Sequence, residues 1–134
     1  MTKIIDIEGI GPKYTAKLEA IGISTTEQLL EAGSTPKGRK DLVDKTDISS
    51  KLILNWVNRA DLNRLKGVGE EYADLFEASG VDTVPELAQR NGSNLHAKMV
   101  EVNDAKSLVR RTPSESQVND WVAQAKDLPR VITY

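Results

Sequence analysis

Apolar residues recur at helical spacing in short blocks along the chain, and glycine, proline, serine and threonine punctuate the blocks. Tyr14, Leu18 and Ile21 fall on one helical face, and Gly22 stops that element. Thr25-Thr26-Glu27-Gln28 has the order of a capping box ahead of Leu29-Leu30, and Thr83-Val84-Pro85-Glu86 repeats it in a stronger form. Gly33 and Gly92 are expected to close these two helices. Thr35-Pro36 opens a further helix through Leu42 and Val43. Ser49 or Ser50 opens the next, through Leu52, Ile53, Trp56, Val57 and Ala60. Ser114 to Ala125 has the same pattern as that last block, with Trp121-Val122 in the place of Trp56-Val57.

The chain therefore states one plan twice. Ile7-Glu8-Gly9-Ile10-Gly11-Pro12-Lys13-Tyr14 returns, shifted by 58 positions, as Leu65-Lys66-Gly67-Val68-Gly69-Glu70-Glu71-Tyr72. The same shift pairs Leu18 with Phe76, Gly22 with Gly80, Ile23 with Val81 and Leu29 with Leu87. The tryptophans are offset by 65 instead, which implies seven residues inserted between Asn94 and Thr112. In each corner two glycines allow a sharp turn while the branched residue between them, Ile10 or Val68, plugs into the core. A helix start follows, so backbone N–H groups point outward from a tight loop and offer an anion site.

Ahead of the corners, Ile4 and Ile7 share a helical face, as do Leu62 and Leu65 behind Asp61, a candidate N-cap. Alternatively, residues 3–7 are extended and pair with Arg130-Val131-Ile132-Thr133-Tyr134, whose β-branched content suits a strand.

The succession apolar, x, Gly, apolar, Gly, then amphipathic helix resembles the helix-hairpin-helix family. That resemblance implies that the hairpin amides grip a DNA phosphate, helped by a basic residue just beyond the second glycine. Lys13 and Lys17 satisfy this in the first copy. The second copy has Glu70, Glu71 and Asp74 where a phosphate would approach, so Gly67, Val68 and Gly69 read as structural. The fold implied is all-α: two related helix-hairpin-helix (SAM-like) halves, 1–66 and 67–134, sharing a core as one pseudo-symmetric compact domain.

Composition narrows the classes. The chain has 134 residues, 39% of them hydrophobic, enough for a packed core. It has no cysteine, so disulfides and thiolate metal sites are out of reach. Neither a signal peptide nor a membrane-length apolar run is present, and a soluble cytoplasmic protein is expected. The net charge is −2, but it is unevenly spread. Residues 1–66 hold 11 Lys/Arg against 9 Asp/Glu, and residues 67–134 hold 7 against 11, which makes the first half the better face for phosphate.

Catalytic chemistry finds no support. His96 is the single histidine and has neither a His-Glu-x-x-His context nor a second ligand, so no metal site is expected. The Gly-x-Gly pairs lack the later Gly-Lys-Ser/Thr of a phosphate loop, and no strand precedes them. No Lys/Asp pair of the glycosylase kind stands out. No catalytic residue, cofactor or small-molecule substrate is expected. The stretch from Arg39 to Asn55 is also readable as a helix-turn-helix whose Ser49, Ser50, Lys51 and Asn55 would face a groove, or as two ordinary packed helices. Trp56 and Trp121 read as core anchors, one per half.

Beyond the hairpins, Thr-Pro-Lys-Gly-Arg-Lys (35–40), Trp-Val-Asn-Arg-Ala-Asp-Leu (56–62) and Gln-Arg-Asn-Gly-Ser-Asn-Leu-His (89–96) resemble an uncharacterised bacterial family, a domain of unknown function related to helix-hairpin-helix proteins. The likeness spans residues 4–129 and implies the fold without implying an activity. Two function classes follow. One is a module that holds DNA or RNA backbone through Gly9, Ile10, Gly11 and the amides of Lys13 and Tyr14, with Lys13, Lys17, Lys37, Arg39 and Lys40 adding charge. The other is a protein-interaction or scaffolding domain whose hairpins are architecture.

Overall fold

A computed structural model describes residues 3–7, 10–68 and 70–133. Glu8, Gly9 and Gly69, on which part of the corner reading falls, lie outside the described residues. The described residues form eight α-helices: α1 Pro12–Glu19, α2 Thr26–Ala32, α3 Pro36–Thr46, α4 Ser50–Leu62, α5 Glu70–Ala78, α6 Val84–Ala88, α7 Gly92–Lys106 and α8 Glu115–Asp127. A 3-10 turn at Ile4–Asp6 precedes them. The expected all-α class holds. Among the described residues the only β pairing is an isolated bridge from Lys3 to Thr25, and Ile4 donates to the Ser24 carbonyl at 3.1 Å. Residues 3 and 4 thus meet the α1–α2 loop. No described helix is long and apolar enough to cross a membrane.

The chain divides into two compact units, one made of residues 1–61 with 131–134 and the other of residues 62–130. The boundary comes before the second corner, five residues earlier than expected, and the last four residues belong with the first unit. Buried apolar side chains form two clusters, one in each unit, where the sequence reading had a shared core. In the first unit Ile4, Ile7, Ile10, Leu18, Leu29, Ile53, Trp56 and Ile132 pack together. In the second, Leu62, Leu65, Val68, Phe76, Leu87, Met99, Val118 and Trp121 do so. Each such side chain contributes about 1.5–3 kcal/mol on burial.

The repeat pairs occupy matching places in their own units. Gly22 at φ 88° and Gly80 at φ 92° end α1 and α5 in the left-handed region that glycine tolerates. Beyond them Ile23 donates to the Leu18 carbonyl at 3.0 Å and Val81 to that of Phe76 at 2.8 Å. Tyr14 tilts against Trp56 with ring centroids 5.2 Å apart at 58°, and Tyr72 against Trp121 at 5.2 Å and 56°. Both tryptophans are buried core anchors, as their spacing predicts.

Three local expectations change. The reciprocal capping box forms at Thr25 with Gln28. At Thr83, the Glu86 amide donates to the threonine hydroxyl, and that hydroxyl donates in turn to the Glu86 carboxylate. Gly33 does close α2, but Gly92 opens α7 behind the Asn91 cap, because α6 has already ended at Ala88. Asp61 lies inside α4, which runs on through Leu62, so it is not the N-cap of a separate helix.

The insertion is also larger than the tryptophan offset suggested. α6 is two residues shorter than α2, which moves the helix starts Thr35 and Asn91 to an offset of 56 before Ser49 and Ser114 restore 65. Nine residues are therefore gained after that point. Four lengthen α7, fifteen residues against eleven in α3, and five lengthen the following connection. That connection, 107–113, forms a strap with Ser107 left-handed at φ 50°.

Candidate nucleic-acid interface

The first corner turns on buried apolar residues. Ile7 donates to the Ile4 carbonyl at 3.0 Å and Ile10 to that of Ile7 at 3.1 Å, and all three side chains are buried. Gly11 is the N-cap of α1, in extended conformation at φ −87°, ψ −179°, and supplies no side-chain cap. Pro12 follows at N1, where its missing N–H costs nothing. Thr15 makes the first helical bond, to the Gly11 carbonyl at 3.0 Å. The amides of Lys13 and Tyr14 therefore lie in the N-terminal turn that carries the positive end of the helix dipole. A β-carbon on Gly11 would meet no atom of the described residues beyond its chain neighbours within 4 Å, and the Lys13 side chain is exposed. Lys17 is half-buried in the last turn of the same helix, and Tyr14 is anchored on Trp56.

Other helix starts contrast with this one. Thr25, Thr35, Thr83, Asn91 and Ser114 each accept a backbone amide of the helix that follows.

The second corner is tied down by α8. The Trp121 indole donates to the Lys66 carbonyl at 3.0 Å, and the Lys66 amide donates to the Gln124 side chain at 2.9 Å. Gly67 adopts φ 87°, Val68 is buried, and a β-carbon on Gly67 would come within 3.4 Å of the Gln117 side chain.

Lys37, Arg39 and Lys40 sit together in the opening turns of α3, behind the Thr35 cap. Lys37 and Lys40 are exposed. The Arg39 guanidinium is already engaged: it donates to the Gly33 carbonyl at 2.8 Å and to the Thr133 carbonyl at 2.7 Å, joining the end of α2 to the C-terminal segment. Sequence reading gave it only as charge.

The helix-turn-helix-like stretch forms two helices joined by three residues, with Asp47 left-handed at φ 60°. Ser49 is occupied as the cap of α4, accepting from the Leu52 amide at 3.3 Å. Ser50 and Lys51 face a shallow hollow between α3 and α4 with Pro36, Lys40, Val43 and Leu54. Lys51 thus joins Lys40 there, a pairing that no sequence spacing announced.

His96 is half-buried in α7, with Nε2 3.0 Å from the Pro113 carbonyl of the strap. Among the described residues no three His, Asp or Glu side chains are grouped to hold a metal. No curated protein and no solved structure matches the chain significantly. Residues 8–128, nearly the whole of both units, match the model of a family described as a domain of unknown function, and the chain belongs to that family, DUF4332.

Proposed function

We propose that the first unit is a helix-hairpin-helix module that holds DNA or RNA backbone without reading base sequence and without catalysing a reaction. The observation that carries this reading is the start of α1, where an extended glycine cap makes no side-chain cap bond, no described atom crowds a β-carbon on that glycine, and the Lys13 side chain is exposed. A phosphate there accepts from the Lys13 and Tyr14 amides, with the Lys13 side chain closing over it and Lys17, Lys37 and Lys40 adding longer-range attraction. Arg39 drops out of the set because its guanidinium holds two carbonyls. The second corner contributes shape, not contact.

With about two to four phosphates engaged, the log–log dependence of affinity on salt has a slope of roughly −2 to −4. Fluorescence anisotropy of labelled duplex and single-stranded oligonucleotides, at low and physiological salt, tests the reading. Binding should weaken with salt, and Lys13→Glu should weaken it by about tenfold or more at low salt. Absence of binding at high protein concentration and low salt would overturn it.

A second reading, protein interaction, draws on the α3–α4 hollow, where Pro36, Val43 and Leu54 lie among Lys40 and Lys51. It fits an acidic partner segment carrying an apolar residue. In that case an acidic peptide library would yield binders that Lys40→Glu abolishes, while oligonucleotides would not bind.

A further inference from the structure

The strap at 107–113 is an addition that the first unit lacks, and neighbouring helices hold it by its backbone. The Asn103 amide group makes a two-way clasp with Val109, donating to its carbonyl at 3.1 Å and accepting from its N–H at 2.9 Å. The Tyr72 hydroxyl donates to the Arg111 carbonyl at 3.3 Å, and His96 Nε2 donates to that of Pro113 at 3.0 Å. All three tethers grip main-chain atoms, so the side chains of Arg110 and Arg111 are left exposed.

Beneath the strap is a hollow of about 480 Å³, lined by Tyr72, His96, Arg111, Thr112, Ser114 and Gln117 among others. Its size falls within the range of small-ligand pockets, about 300–1,000 Å³. The lining offers a guanidinium, a carboxamide and the hydroxyl groups of Thr112 and Ser114 as donors, while the Tyr72 hydroxyl and His96 Nε2 are already given to strap carbonyls. No carboxylate is among its described lining residues, although this half of the chain is the acidic one.

We propose that the hollow under the strap is a binding site for a phosphate group, with Arg111 supplying the charge and His96, Thr112 and Gln117 surrounding it. This site lies in the second unit and does not depend on the first corner. A planar guanidinium beside neutral donors suits the tetrahedral oxygens of a phosphate monoester or diester. The phosphate comes either from a free nucleotide or from nucleic-acid backbone.

Because the chain has a single histidine, the ring signals of His96 in ¹H–¹³C spectra of the full chain report on this hollow alone. Titrations at fixed pH with inorganic phosphate, with AMP and with a 5′-phosphorylated single-stranded oligonucleotide should give a saturable shift for at least one of the three. A shift with AMP or phosphate identifies the small-molecule source, and a shift with the oligonucleotide alone identifies the backbone source. Arg111→Gln keeps the carbonyl that Tyr72 holds, so it should fold normally while weakening binding about tenfold or more. Arg111→Lys should retain most of the affinity. Lys13→Glu should leave the His96 titration unchanged, which separates this site from the first corner. The inference is overturned by an unsaturable or absent His96 shift with all three ligands, or by Arg111→Gln binding as tightly as the parent chain.

Discussion

Gly11→Asp sets stability and binding against one another. The backbone at Gly11 already has the extended geometry of a helix cap, and a β-carbon there has open space around it. An aspartate can therefore fold its carboxylate onto the Tyr14 amide without moving the chain. Replacing a glycine cap gains a few tenths of a kcal/mol. The carboxylate also meets the positive end of α1, for about 0.3–1 kcal/mol more. Together these should raise the midpoint of thermal unfolding by roughly 2–11 °C, at about 4–8 °C per kcal/mol for a unit of this size.

The same carboxylate occupies the amides that a phosphate would use and repels it besides. Losing one charge-assisted hydrogen bond of about 1.5–3 kcal/mol lowers affinity for duplex DNA by roughly 10–100-fold. Gly11→Ser separates the two effects, since it caps without charge and should weaken binding less. Circular-dichroism melting and fluorescence anisotropy on the same samples read both quantities. If Gly11→Asp is stabilised as expected yet binds DNA like the parent, the α1 amides are not the phosphate grip. A destabilised Gly11→Asp would refute the premise that the helix start is bare.

Two further substitutions probe the first unit by unfolding midpoint. Gly38→Ala would gain about 1 kcal/mol in an ordinary helix. Here the new methyl overlaps the Ala32 carbonyl oxygen, and the end of α2 cannot give way without disturbing the Arg39 bond to Gly33. A net loss of about 1–3 kcal/mol is expected, and a rise in the midpoint would contradict the close approach of α2 and α3. Asp47→Gly relieves a left-handed non-glycine residue at φ 60° and should stabilise by about 0.5–1 kcal/mol; a loss of stability would mean that the Asp47 side chain supports the turn.

The hydrophobic repeat made much of the architecture legible. Leu18 and Phe76, Ile23 and Val81, and Leu29 and Leu87 are buried in both copies, because a core position tolerates only an apolar side chain and so prints itself on the sequence twice. Boundaries were less legible. Gly92 reads equally well as the end of one helix or the start of the next, and only the Asn91 cap decides it. Asp61 has the chemistry of a cap but is carried into α4 by Ala60 and Leu62, which bury on either side of it.

At the candidate site, Lys13 and Gly11 could be named because the corner motif fixes local geometry. Bonds between distant positions leave no local signal, and so the occupation of Arg39 by Thr133 and the grip of Trp121 on Lys66 could not be named. The strap announced itself only as a change of offset between repeats. What it brings together, Tyr72, His96 and Arg111, depends on three separate stretches of chain.

The last residues have one more implication. Ile132 is buried in the first cluster, and Thr133 donates its amide to the Ser34 carbonyl at 2.8 Å while its own carbonyl takes the Arg39 guanidinium. The N-terminal unit is thus interrupted in sequence, with the other unit spliced into it. During vectorial synthesis the spliced segment can consolidate first, and the earlier-made helices wait for the tail before their assembly is finished. A clone stopped at residue 61 would carry every helix of that unit except the end of α4 and still lack its closing piece.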